Sequence, residues 1–200
     1  MATNTTQPQD QYKPAPLFGG AITCLLPSTF ADVSDIRQVP DNQEVWLDTD
    51  GFTSIVLDIL ERVYAKSDAD ALRVHLEHIV DEDKDKMKIL QEGEVAVCEM
   101  MGSSTPCYTL IVTSPPGAKQ RGRANEPAFV DLLVTLIRLE KQKTDLVVTI
   151  NVPHVPGTYD AGEIDREAGR LGKLLDRALE MREKVLRSLE IKDFGLFGEE

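Results

Sequence analysis

Two runs decide the architecture: Phe129-Val130-Asp131-Leu132-Leu133-Val134-Thr135-Leu136-Ile137-Arg138-Leu139 and Leu146-Val147-Val148-Thr149-Ile150-Asn151-Val152. Each is nearly continuous in apolar residues. A strand with one face in water alternates apolar and polar side chains, so an unbroken run means that both faces are covered. The segment between them, Glu140 to Asp145, is too short for a crossover connection, which makes the pair an antiparallel hairpin. The expected fold class is therefore α/β of the α+β type, with central strands between layers of helix.

Outward from this hairpin, Glu94 to Met101 and Tyr108 to Thr113 read as a second pair of strands. The loop from Ser114 to about Pro127 holds Lys119, Arg121 and Arg123, the chain's basic cluster, and is expected to be a mobile tip. Beyond the sheet, Asp160 and Glu163 offer a capping pair for a long helix reaching Leu189. Ile164, Ala168, Leu171, Leu175, Ala178, Val185 and Leu189 lie close to helical register on it, and the other face is charged with mixed sign. In the tail, Phe194 and Phe197 are expected to pin the chain to the core.

On the N-terminal side, Ser67-Asp68-Ala69-Asp70 resembles a capping box and predicts a helix to about Val80, which the charge run from Asp81 to Lys86 ends. A further helix is expected from Ser54 to about Lys66, because Val56, Ile59, Leu60 and Val63 fall at i, i+3, i+4 and i+7. On that reading Asp58 and Glu61 point the same way into solvent, where two like charges repel slightly. A solvated polar face is one explanation of the pair, and an opposing basic surface is the other. Residues 1–16 are polar and contain three prolines, which reads as a disordered arm before a single domain over 17–200. Leu17 to Pro27 reads as a turn at Gly19-Gly20 followed by a buried strand.

Between these elements runs Asp32-Val33-Ser34-Asp35-Ile36-Arg37-Gln38-Val39-Pro40-Asp41-Asn42-Gln43-Glu44-Val45-Trp46. Its charges exclude it from the core, and its apolar residues anchor it. It reads as a polar surface feature on a rigid scaffold, a common setting for binding sites. The plainer reading is a solvated connection that ends in a strand over Glu44 to Leu47.

The chain carries 34 acids against 22 bases, a formal net charge of −12. Nucleic acid and anionic membrane would be repelled, and a basic protein surface is favoured as partner. Cys24, Cys98 and Cys107 show no metal spacing and read as reduced thiols. The N-terminal residues have neither the pattern of a secretory signal nor that of a transit peptide. His75 and His78 lie i, i+3 with no third ligand in view, so no metal is expected. There is no nucleophile elbow, Walker loop or dinucleotide fingerprint. His154, between prolines past a strand end, is the best-placed lone acid–base candidate, and a single histidine of this kind is more often structural. Residue chemistry alone thus describes an acidic, intracellular domain that acts by contact, without cofactor or catalysis.

Several of these stretches also resemble one family. Leu17-Phe18-Gly19-Gly20-Ala21-Ile22, Pro27 and the run from Asp32 to Val45 are similar to the start of the Ran guanine nucleotide release factors. Ser54 to Glu61 resembles their first long helix, Thr144 to Pro153 their late central strand, and Phe194 to Gly198 their C-terminal end. The resemblance runs in order from about residue 17 to 198 and is poor over 81–127; the chain's length and N-terminal arm look more fungal than animal. It implies the fold of the PsbP proteins, a three-layer sandwich with a mostly antiparallel sheet between helices. It also implies binding to the GTPase Ran, promotion of nucleotide release, a part in nuclear transport, a monomer, and a place in nucleus and cytoplasm. By motif, the Ran-facing residues would be Asp32, Asp35, Arg37, Asp41, Glu44, Asp58 and Glu61. Two other classes stay open on this reading: a scaffold for a different protein partner, and an enzyme with a site near His154 or His75.

Overall fold

The apolar runs at residues 130–153 form the antiparallel hairpin they require, and a computed structural model shows what covers each face. It describes residues 11–95, 98, 105 and 107–198. In chain order the elements are β1 (Tyr12–Leu17), β2 (Ile22–Pro27), β3 (Phe30–Asp32), β4 (Gln43–Asp48), β5 (Ser54–Glu61), α1 (Asp68–Val80), β6 (Lys88–Val95), β7 (Cys107–Ser114), β8 (Val130–Leu139), β9 (Thr144–Pro153), α2 (Lys173–Ser188) and β10 (Glu190–Ile191). A seven-stranded sheet has the order β3-β4-β5-β9-β8-β7-β6, and β1-β2-β10 form a three-stranded sheet. All pairings are antiparallel.

Pleating sorts the central hairpin onto two cores. Leu132, Val134, Leu136 and Val147 meet Ala71, Leu72 and Leu76 of α1. Leu133, Ile137, Leu146, Val148 and Ile150 face the other way, toward Leu175, Ala178, Val185 and Leu186 of α2 and toward the small sheet. Helix thus lies on both faces of the sheet, as the double-sided apolar runs imply.

Five expectations change. The stretch Ser54–Glu61 is strand β5, not a helix. Its apolar residues satisfy both periods, but β4 and β9 hydrogen-bond it on either side, and Ile55 and Leu57 are buried at a spacing of two. The arm ends earlier than residue 16, since Tyr12–Leu17 pairs with β2; residues 1–10 lie outside the described set. The last helix begins at Lys173, not near Asp160. Asp160 instead accepts the Gly162 N–H over a short 3-10 turn, and Gly172 takes φ 86° where a Cβ would meet Ile164 at 2.8 Å. The loop after β7 is tethered, because Arg121 reaches buried Asp83 and donates to the Pro116 carbonyl at 2.8 Å. In the tail, Phe197 packs on the core whereas Phe194 is exposed.

Other details agree with local chemistry. Ser67 caps α1 by accepting the Asp70 N–H at 3.1 Å. All three cysteines are buried free thiols. A strand covers Lys88–Val95, and of the strand expected over Glu94 to Met101 the residues 96, 97 and 99–101 lie outside the described set.

One buried cluster joins the layers. Asp145, at the start of β9, accepts from Arg138 Nε at 3.0 Å and from the Val63 N–H at 2.9 Å, and lies 2.9 Å from His75 Nε2 of α1. Arg138 also bonds Asp68 at 2.8 Å and the Val63 carbonyl. Burial pushes the Asp145 carboxyl up, but its bonds to His75, Val63 and Arg138 outweigh that and hold it below the ordinary carboxylate value. Asp145→Ala should therefore lower stability by about 3–5 kcal/mol in urea unfolding, since it removes the shared partner of His75, the Val63 N–H and Arg138 from a buried site. In the wild type, the contribution of ionised Asp145 is fully present above the reference value of 3.8 and is lost as pH falls through the lower folded value. Unfolding curves measured across that acid range check the sign.

Candidate functional site

The acidic residues gather where β3, β4 and β5 end, in two clefts on opposite sides of β4. The first, of about 420 Å³, is lined by Phe18, Asp32, Val39, Asp41 and Glu44. The chain enters β2 through a tight turn with Phe18 at φ 50° and Gly19 at φ 65°, as the Gly19-Gly20 pair suggests. That turn presents the Phe18 N–H to Glu44, which accepts it. Glu44 is half-buried, and burial, then the neighbouring Asp32 charge, raise its carboxyl above the ordinary range. Asp32 caps the following turn by accepting the Ser34 N–H at 2.8 Å.

The second cleft, of about 530 Å³, opens between β5 and α1. Asp58 lies in it with Gln43, His75, His78, Ile79 and Asn151. Gln43 Nε2 donates to Asp58 Oδ1 at 2.7 Å, across the register pair Gln43–Asp58. Burial raises the Asp58 carboxyl, and the Gln43 hydrogen bond and nearby His75 draw it partly back.

The sites expected from sequence are thus distributed unevenly. Asp32, Asp41 and Glu44 share the first cleft and Asp58 occupies the second. Because β5 is a strand, Asp58 and Glu61 do not share a face through helical spacing: three residues apart they fall on opposite sides of the pleat. Glu61 is exposed at the rim of the second cleft. Asp35 and Arg37 are exposed on the turn at 33–37. The Asn42 backbone links the two sides, its carbonyl accepting the Ile59 N–H at 2.8 Å. Sequence reasoning missed Gln43, His78 and Ile79. A period of two through β4 would have put Gln43 on the face opposite Glu44.

Of the histidines, His75 and His78 line the second cleft, whereas His154 lies outside both. His154 is buried, stacks on Phe129 at 4.2 Å, and donates from Nδ1 to the Val152 carbonyl at 3.1 Å. Burial lowers its pKa, which favours the neutral ring, and it lines neither cleft. Among the described residues no group of three or more His, Cys, Asp or Glu side chains is placed to hold a metal ion. Among the described residues, too, no helix is long and apolar enough to cross a membrane.

The two carboxylate clefts are carried by an α+β domain built on a large antiparallel sheet. The family model described as Ran-interacting Mog1 protein matches residues 15–153, and the chain belongs to that family. A Ran guanine nucleotide release factor from Danio rerio is 33% identical over 92% of this chain and 98% of its own. The nuclear import protein mog1 of Schizosaccharomyces pombe is 28% identical over 91% of this chain and 98% of its own. Animal and fungal relatives therefore match to similar degrees, and the fungal expectation gains nothing from them. The crystal structure of the Saccharomyces cerevisiae Ran-binding protein Mog1p superposes with a TM-score of 0.73 at 27% identity, covering 94% of this chain and 99% of that one.

Burial works against the charge of Asp58, as its raised carboxyl pKa records. Asp58→Asn keeps an oxygen for Gln43 and should leave the melting temperature at or above that of the wild type at neutral pH. The folded carboxyl titrates above its unfolded reference of 3.8, so any gain belongs to pH above the folded value and vanishes below 3.8. Thermal melts of both proteins from neutral to acid pH check this.

Proposed function

We propose that this chain is a Ran-binding protein that promotes guanine nucleotide release and serves nuclear import, working as a monomer in nucleus and cytoplasm. The observation that carries the reading is the gathering of Asp32, Asp41, Glu44 and Asp58 in two adjoining clefts, with Glu61, Asp35 and Arg37 exposed beside them. Family membership supplies the partner: relatives bear the names Ran guanine nucleotide release factor and nuclear import protein.

The mechanism follows from charge. A GTPase holds its nucleotide phosphates with backbone amides, a lysine and magnesium. An acidic docking face competes for basic groups near the phosphates, so it binds the emptied GTPase more tightly than the loaded one. That difference in affinity shifts the equilibrium toward release. No bond is made or broken, and no catalytic residue is part of this reading.

Release of a fluorescent guanine nucleotide from Ran should accelerate when the protein is added, and an unchanged rate would overturn the proposal. In a binding titration, the Asp58→Ala, Glu61→Ala double variant should bind Ran at least about tenfold more weakly, the loss expected for removing charges at a polar interface. Its urea midpoint should stay within error of the wild type.

A further inference from the structure

The turn at 33–37 carries a residue that local chemistry does not explain. Ile36 is 78% exposed, in a position flanked by Asp35 and Arg37, both also exposed. Turns favour Gly, Pro, Asn, Asp and Ser, and a β-branched aliphatic side chain in water gains nothing there. Single exposed apolar residues are common on protein surfaces, so exposure alone would mean little.

The support beneath Ile36 distinguishes it. Val33 is buried, and its N–H donates to the Val45 carbonyl of β4 at 2.9 Å. The Val33 carbonyl accepts from the Ile36 N–H at 2.9 Å and from the Arg37 N–H at 3.0 Å. Asp32 accepts the Ser34 N–H at 2.8 Å. The turn is thus tied at four points, which holds the Ile36 backbone in one geometry. Asp32 and Ser34, at the start of the same turn, line the first acidic cleft together with Asp41 and Glu44. An exposed apolar side chain on a hydrogen-bonded turn, flanked by Asp35 and Arg37 and set beside an acidic cleft, has the makings of an interface anchor, where a central apolar residue is desolvated and a polar rim excludes water. Little conformational freedom remains to be lost when it docks.

We propose that Ile36 is the apolar anchor of the Ran contact, entering a recess on the GTPase bordered by basic groups. This rests on the reading of the chain as a Ran-binding protein. The surrounding carboxylates steer the encounter, and Ile36 sets how long the complex lasts. The division follows from range: charge acts across solvent before contact, whereas apolar burial acts only once surfaces meet.

The test is the kinetics of Ran binding, by surface plasmon resonance, for the full chain and three variants. Ile36→Ser should dissociate at least about tenfold faster, with an association rate within about twofold of the wild type and the same dependence on salt. Ile36→Leu should restore slow dissociation. Phe52→Ala removes another exposed apolar side chain, 42% exposed at the far end of the β4–β5 hairpin, and should change nothing. Melting temperatures of all three should match the wild type, so a weaker complex accompanied by a lower melting temperature would overturn the assignment. Ile36→Ser dissociating like the wild type overturns the anchor while leaving Ran binding intact. A wild-type protein with no measurable Ran binding overturns both.

Discussion

The structure depends on one buried carboxylate. Asp145 begins the central strand β9, with its side chain fully buried between sheet and helix. It joins α1 through His75, β8 through Arg138, and the chain leaving β5 through the Val63 N–H. A charge removed from water is tolerated only when its lone pairs are occupied, and Asp145 meets that condition with partners from three segments. The consequence reaches the surface. By holding α1 against the sheet, the cluster forms the wall opposite Asp58 and so shapes the second cleft.

The proposed docking face is organised around β4. Alternation along that strand sends Gln43 to one side of the sheet and Glu44 to the other, so one short segment contributes to both clefts. The carboxylates there are not all free to engage a partner. Glu44 already accepts the Phe18 N–H, and Asp32 already caps its turn. They shape the surface as much as they charge it. Glu61, Asp35 and Arg37 are the exposed members. Raised carboxyl pKa values at Asp58 and Glu44 show that partial burial works against their charge at these two positions.

How much could be read beforehand varied by element, for identifiable reasons. The β8–β9 hairpin was legible because continuous apolar runs with a short connection allow little else. The start of α1 was legible because its cap is local. Ser54–Glu61 was misread because an eight-residue apolar-rich stretch fits periods of both 3.6 and 2. The helix α2 was placed too early because Asp160 offers a cap that is used for a 3-10 turn instead. The acidic positions were recognisable by their order and by the family they resemble, but their grouping was not.

By itself the sequence determined the double-sided central strands, the acidic surface and the family. These properties reside in neighbouring residues or in totals, and so need no knowledge of distant contacts. Only the tertiary structure decided that Ser54–Glu61 is a strand, since its hydrogen bonds go to β4 and to β9, the latter about 90 residues away in the chain. That choice put Asp58 and Glu61 on opposite sides of the pleat, with Asp58 inside the second cleft and Glu61 exposed at its rim. It also left Ile36 exposed on a turn tied through Val33 to β4, a placement that depends on a strand pairing remote from the local sequence.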